Sequence, residues 1–211
     1  MTATAWAFAA LALVLGVTDW WAVAVDRRTI RWVTKPASLA ALIGVAAVVD
    51  PADPTVRWWM LAGLVLSLAG DVFLLLDESF FLAGLVSFLL AHVAYIVGLN
   101  LAPTSLGWLA VGLGVVVVAM ASVGTRLLPA VAGGEHREML GPVIGYSLVI
   151  SAMLVSAFGT ADGWAVAGAG LFYVSDTTLA FNRFVRPSKV LSVTVMVTYH
   201  LGQAGLVAWL V

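Results

Sequence analysis

Mostly apolar runs recur eight times along the chain, most of them near the 20 residues that a helix needs to cross the roughly 30 Å hydrocarbon core of a bilayer. Polar or Gly/Pro-bearing breaks delimit them as Ala3 to Val25, Thr34 to Val49, Arg57 to Leu76, Phe80 to Leu99, Ser105 to Leu128, Leu140 to Gly159, Gly163 to Asn182 and Ser188 to Val211. The second run is short, so it is expected to tilt or to recruit flanking residues. Short breaks leave no separate water-soluble domain and make consecutive helices antiparallel neighbours. The pattern therefore predicts an all-α fold: a polytopic membrane bundle of eight transmembrane helices, one domain over residues 1–211.

Composition narrows the function. Of the 211 residues, 63% are hydrophobic and 10% charged, too few charges to cover a water-facing domain of this size. Ten Lys+Arg against eleven Asp+Glu leave a net charge of −1 and no basic patch for nucleic acid. Without cysteine there is no disulfide framework, thiolate metal site or cysteine nucleophile. Chemistry falls to Asp, His, Lys, Tyr and Ser.

Basic residues set the expected direction. Arg27, Arg28, Arg31, Lys35, Arg126, Arg137, Arg183, Arg186 and Lys189 follow the first, fifth and seventh runs, while Arg57 stands alone on the other side. Loops after odd-numbered helices are thus expected in the cytoplasm, with both termini outside, in a multi-pass protein of the cell membrane. The first run has its basic residues after it, the reverse of a cleavable signal peptide. It is expected to stay as a span. The segment Gly133-Gly134-Glu135-His136 reads as a flexible turn with a solvated histidine.

Asp19, Asp71 and Asp176 lie inside apolar runs, where an unpaired carboxylate costs at least a few kcal/mol and marks a functional site by default. Counted along the runs, all three sit about 8 to 9 Å from the cytoplasmic end, and His92 and His200 about 18 Å in. Lys35, opening the second run on the same side, is placed to supply a counter-charge or a phosphate contact. These six groups on six helices describe a cavity open to the cytoplasmic leaflet. On the fourth run Phe81, Leu85, Phe88, His92 and Tyr95 fall on one stripe, apolar except at its last two members. Asp71 and His92 are separated by 21 residues and Asp176 and His200 by 24, spacings that suggest two parallel four-helix halves.

Four fragments resemble a known family. Thr34-Lys35-Pro36, Gly70-Asp71-Val72-Phe73-Leu74, Phe81-x2-Gly84-Leu85-x2-Phe88-x3-His92-x2-Tyr95 and Tyr173-x-Ser175-Asp176 resemble, in order, the YhhN-like lysoplasmalogenases. The resemblance implies an integral membrane hydrolase that cleaves the vinyl ether of a lysoplasmalogen to a fatty aldehyde and glycerophosphoethanolamine or glycerophosphocholine. It implies Asp71 and Asp176 as catalytic acids, with Lys35, His92, Tyr95 and Ser175 lining the site; Tyr173, His200 and Asp19 are further candidates for substrate contact. The chemistry is compatible, because vinyl ether hydrolysis needs an acid to protonate carbon and a base to direct water, with no cofactor or metal. The substrate would be a lysophospholipid drawn from membrane lipids. Two other readings use the same residues. A metal-dependent lipid hydrolase would take Asp71, Asp176, His92 and His200 as ligands, and a small-molecule or proton-coupled transporter would use the acids as a relay.

Overall fold

A computed structural model describes residues 1–211 except Ala52, Glu135 and His136. The described residues form eight α-helices and no strand: α1 (Ala3–Ala24), α2 (Arg28–Val48), α3 (Pro54–Leu75), α4 (Phe81–Leu101), α5 (Leu106–Gly133), α6 (Leu140–Gly159), α7 (Gly163–Phe184) and α8 (Lys189–Ala208). Single 3-10 turns, Glu78–Phe80 and Arg137–Met139, lead into α4 and α6. Gly133 ends α5 and Gly134 caps it; the expected solvated turn residue His136 lies outside the described residues.

The helix starts are written locally. Thr2, Asp53, Ser105 and Asp162 accept hydrogen bonds from the first-turn amides of α1, α3, α5 and α7, which would otherwise lack partners. Pro54 at the first position of α3 costs no hydrogen bond there. Apolar side chains then cover both the bundle interior and its outer surface. Leu106, Val118, Trp58 and Trp6 remain well exposed, as expected where the surrounding medium is hydrocarbon. Six of the helices are long and apolar enough to cross a membrane. The other two, α2 and α7, carry Arg28, Arg31 and Lys35, and Asp176 and Arg183, respectively.

Two boundaries differ from the sequence reading by more than three residues. α2 begins at Arg28, six residues before Thr34, and contains Pro36. Lys35 therefore sits two turns inside the helix and does not open it. The charged first turns of α2 are helical, not loop, because their side chains find partners within the bundle. α5 runs on to Gly133 through Pro129, past the expected end at Leu128.

Packing follows chain order with one exception. α1 lies on α2, α3 on α4 and α7 on α8, but α4 packs on α6, and α5 rests on α6 and more lightly on α7. The expectation that all consecutive helices are close neighbours thus fails between α4 and α5. Asn100 Nδ2 donates to Ser156 Oγ at 2.8 Å, and the amide of Ser105 donates to the Gly159 carbonyl at 2.8 Å, so α6 occupies the position beside α4.

The closest approach is between α7 and α8. A Cβ on Gly168 would lie 2.5 Å from the Leu206 nitrogen, and one on Gly205 would lie 2.7 Å from the Gly168 Cα. Backbone meets backbone there, as small residues permit between membrane helices. No side chain can swing aside. Gly205→Ala should therefore lower the thermal unfolding midpoint of the purified protein by several degrees. Gly170→Ala, at a position with open space around it, should leave the midpoint within about a degree of wild type. Equal midpoints for both variants would refute the backbone contact.

Candidate active site

α2 turns a polar face inward, because Arg31, Thr34, Lys35 and Ser38 share one side of the helix. Ser38 Oγ donates to the Ala12 carbonyl of α1 at 3.0 Å. Thr34 Oγ1 donates to Asp19 Oδ1 at 3.1 Å, and Arg31 Nε lies 3.6 Å from the same oxygen. One turn further, Lys35 Nζ crosses to α3 and lies 3.0 Å from Asp71 Oδ1, an ion-pair contact without hydrogen-bond alignment. Tyr199 on α8 donates its hydroxyl to Asp71 Oδ2 at 2.7 Å. Asp71 is wholly buried and Lys35 nearly so. A cation on one oxygen and a hydroxyl donor on the other are the surroundings of an ionised carboxylate.

Asp176 has different neighbours. The Tyr146 hydroxyl on α6 donates to its Oδ2, and His92 Nε2 on α4 lies 3.6 Å from that oxygen. His92 Nδ1 is 2.6 Å from the Phe88 carbonyl oxygen. A carbonyl only accepts, so Nδ1 carries a proton, and a neutral ring would turn a bare Nε2 towards the carboxyl group. His92 Nε2 is thus placed beside Asp176, without a hydrogen-bond partner of its own.

The two carboxylates are linked through aromatic rings. Phe172 of α7 packs against His92 at 4.7 Å and against Tyr199 at 5.4 Å between ring centroids. Of the two acids, Asp176 borders a cavity of about 220 Å³ between α4, α5, α6 and α7, with 12% of its side chain exposed. Phe81, Leu85 and Phe88, the apolar part of the stripe read on α4, form one wall, and Tyr146 and Tyr173 also line the space.

The remaining candidates lie elsewhere. Tyr95 donates to Gln203 Oε1 on α8 at 2.7 Å, its ring filling the space over Gly63, where a Cβ would come within 2.3 Å. Ser175 Oγ donates to the Val195 carbonyl at 3.1 Å. His200 Nδ1 accepts from Trp20 Nε1 at 2.9 Å and borders a different cleft, between α1, α2 and α8. Asp19 stays at the α1–α2 contact. From the observed helix ends, Asp71 is about 6 Å in and Asp176 about 12 Å, so the common depth read from the sequence holds only loosely. Among the described residues no three potential ligands come together around one point, so Asp71, Asp176, His92 and His200 do not converge as a metal set.

The YhhN family model matches residues 30–210, nearly the whole chain. The chain belongs to the YhhN family. Among curated relatives, this YhhN chain is 35% identical over 144 residues to the pig (Sus scrofa) protein named lysoplasmalogenase TMEM86B, covering 66% of the chain and 58% of the relative. The lysoplasmalogenase of Mycobacterium tuberculosis is 32% identical over 171 residues, 77% of the chain and 64% of the relative. Human lysoplasmalogenase TMEM86A is 29% identical over 149 residues, with 67% and 60% covered. The matches thus span about three fifths of the relatives' own lengths. No solved structure matches.

Two side chains of this YhhN site were not singled out from sequence: Tyr146 and Tyr199. A signal existed. The chain has four tyrosines, all inside apolar runs, and a phenol buried in hydrocarbon needs a hydrogen-bond partner. Buried ion pairs are costly to break one-sidedly. Lys35→Met should therefore destabilise the fold by about 3 kcal/mol or more, and Lys35→Met with Asp71→Asn should recover much of that loss in a double-mutant cycle. Additive losses would show that Lys35 and Asp71 do not depend on each other.

Proposed function

We propose that this chain is a membrane lysoplasmalogenase, hydrolysing the vinyl ether of a lysophospholipid to a fatty aldehyde and a glycerophospho-alcohol. Family membership and the names of the curated relatives support the reaction. One observation carries the mechanism: of two carboxylates joined through an aromatic cluster, the sealed one faces a lysine and the one at the apolar cavity faces a histidine. Asp71 then stays charged, and Asp176 is the proton donor.

In the reaction, the Asp176 carboxyl gives its proton to the carbon β to the ether oxygen. The C=C π pair forms the new C–H bond, and the positive charge is shared between the α-carbon and oxygen. The Asp176 carboxylate that remains stabilises this cation and accepts a proton from the water that adds to the α-carbon. The hemiacetal collapses as Asp176 gives that proton to the departing glycerol oxygen and its carboxylate takes the hydroxyl proton, which leaves the acid protonated for the next turnover. Tyr146 and His92 hold Asp176 in place. Asp71 acts through Tyr199 and the fixed charge that it shares with Lys35. The lipid tail lies along Phe81, Leu85 and Phe88.

Eight membrane crossings, with the basic loops in the cytoplasm, complete the proposal. Arg28 with the Leu75 carbonyl, Lys189 with Asp26 and Arg183 with Glu78 join the loops after α1, α3 and α7 at one end of the bundle. The two halves are proposed as parallel repeats. Asp71 of α3 is held from α2 and α8, and Asp176 of α7 from α6 and α4, which are the corresponding helices when α1 to α4 are laid over α5 to α8.

Asp176→Asn, shown to be folded, should lose about 10²-fold or more in kcat, because it keeps the shape and removes the proton. Tyr146→Phe should lose roughly tenfold. Mass spectrometry of products is the assay: aldehyde should appear from a 1-alkenyl lysophospholipid and no fatty acid from its 1-acyl counterpart. Near-normal turnover in folded Asp176→Asn would sink the mechanism, and fatty-acid release would replace ether by ester chemistry. A cytoplasm-dependent reporter should be active in the loop near Arg186 and silent after Val211; the opposite result would invert the orientation.

A further inference from the structure

Arg183 lies seven residues beyond Asp176 on α7, two helical turns and about 10.5 Å along the same face. Both side chains line the same cavity. The guanidinium stands 4.5 Å over the Phe81 ring and pairs with Glu78 from the turn that leads into α4. Its Nε is buried and has no hydrogen-bond partner. Arg183 is about a quarter exposed, whereas the Glu78 side chain is 72% exposed. A largely apolar cavity thus has in its lining one cation with a spare donor, and the anion paired with that cation lies beyond the lining and reaches into solvent.

This arrangement matches a ligand with an apolar chain, a phosphate and an ammonium group. In a lysoplasmalogen seven bonds separate the carbon to be protonated from phosphorus, about 9 Å when extended. With that carbon at Asp176, phosphorus falls within reach of Arg183. A guanidinium binds phosphate oxygens through paired N–H donors, and stacking on Phe81 fixes its plane. Lys35 does not serve this role from where it stands, since it is buried and engaged with Asp71.

We propose that Arg183 and Glu78 clamp the headgroup of a zwitterionic lysophospholipid, Arg183 taking the phosphate and Glu78 the ammonium. The inference rests on the proposed lysophospholipid reading of the cavity and adds its headgroup specificity. On binding, the ion pair opens, and each partner exchanges the other for the opposite charge of the ligand. Charge is conserved in the exchange. A lipid that carries phosphate but no amine satisfies Arg183 and leaves Glu78 facing an anion. A headgroup-free glycerol ether satisfies neither.

The test measures binding of ligands that cannot be hydrolysed, to the full chain in nanodiscs. The probes are 1-O-alkyl-glycero-3-phosphoethanolamine, 1-O-alkyl-glycero-3-phosphate and 1-O-alkylglycerol. Arg183→Gln should weaken the phosphoethanolamine ligand roughly tenfold or more and leave alkylglycerol unchanged. Arg183→Lys, which keeps the charge, should lose less. Glu78→Gln should erase the preference for phosphoethanolamine over the amine-free phosphate. Arg28→Gln, in the neighbouring polar cleft, should leave all three affinities alone. Equal losses on all three ligands, unchanged affinities in the Arg183 and Glu78 variants, or a headgroup effect that appears with Arg28→Gln would overturn the clamp. Binding is read without turnover, so a wild type that discriminates these ligands but releases no aldehyde from the alkenyl lipid would sink the reaction and leave the clamp standing.

Discussion

A lysine and an aspartate buried together in an apolar bundle constrain the rest of the molecule. Removing either charge leaves the other unpaired in a medium that offers it no water. The pair joins α2 to α3, and the Tyr199 hydroxyl brings α8 to the same carboxylate. Three helices thus have their rotation and height fixed by one acid. The same requirement explains why α2 begins early: Arg31 and Thr34 must be helical to reach Asp19 from the face that carries Lys35.

The asymmetry of the two acids follows from this constraint. A carboxylate with a permanent cation beside it is poorly suited to deliver a proton, and one placed against a neutral acceptor at an apolar cavity is better suited. On the proposed repeat, corresponding positions have different partners: Lys35 and Tyr199 for Asp71, and Tyr146 and His92 for Asp176. Duplication of a four-helix unit would supply the frame, and substitution at two partner positions would supply the division of labour.

Much of the bundle was legible in the sequence because hydrocarbon imposes long apolar runs and penalises every charge within them. Asp71, Asp176, Lys35 and His92 stood out for that reason, and they meet in two adjoining clusters. His200 stood out equally and lies apart, while its neighbour Tyr199 points to Asp71. A one-residue step on a helix rotates a side chain by about 100°, and spacing alone did not decide which of the two faced inward. The start of α2 was hidden for a related reason. Charges read in isolation end a membrane helix, whereas charges with partners extend it. The separation of α4 from α5 was not legible at all, because loop length bounds the distance between helices without choosing the neighbour.

That separation governs how a substrate would be encountered. Two of the four helices around the cavity, α4 and α5, follow one another in the chain without packing together, and in the proposed bilayer setting the gap between them would face hydrocarbon. A one-chain lipid would then arrive by lateral diffusion within its own leaflet, with its tail never crossing water. The relevant concentration is a mole fraction in the membrane. Adding inert lipid or detergent would dilute the substrate at constant bulk concentration, and the rate would follow the surface composition in place of the amount dissolved.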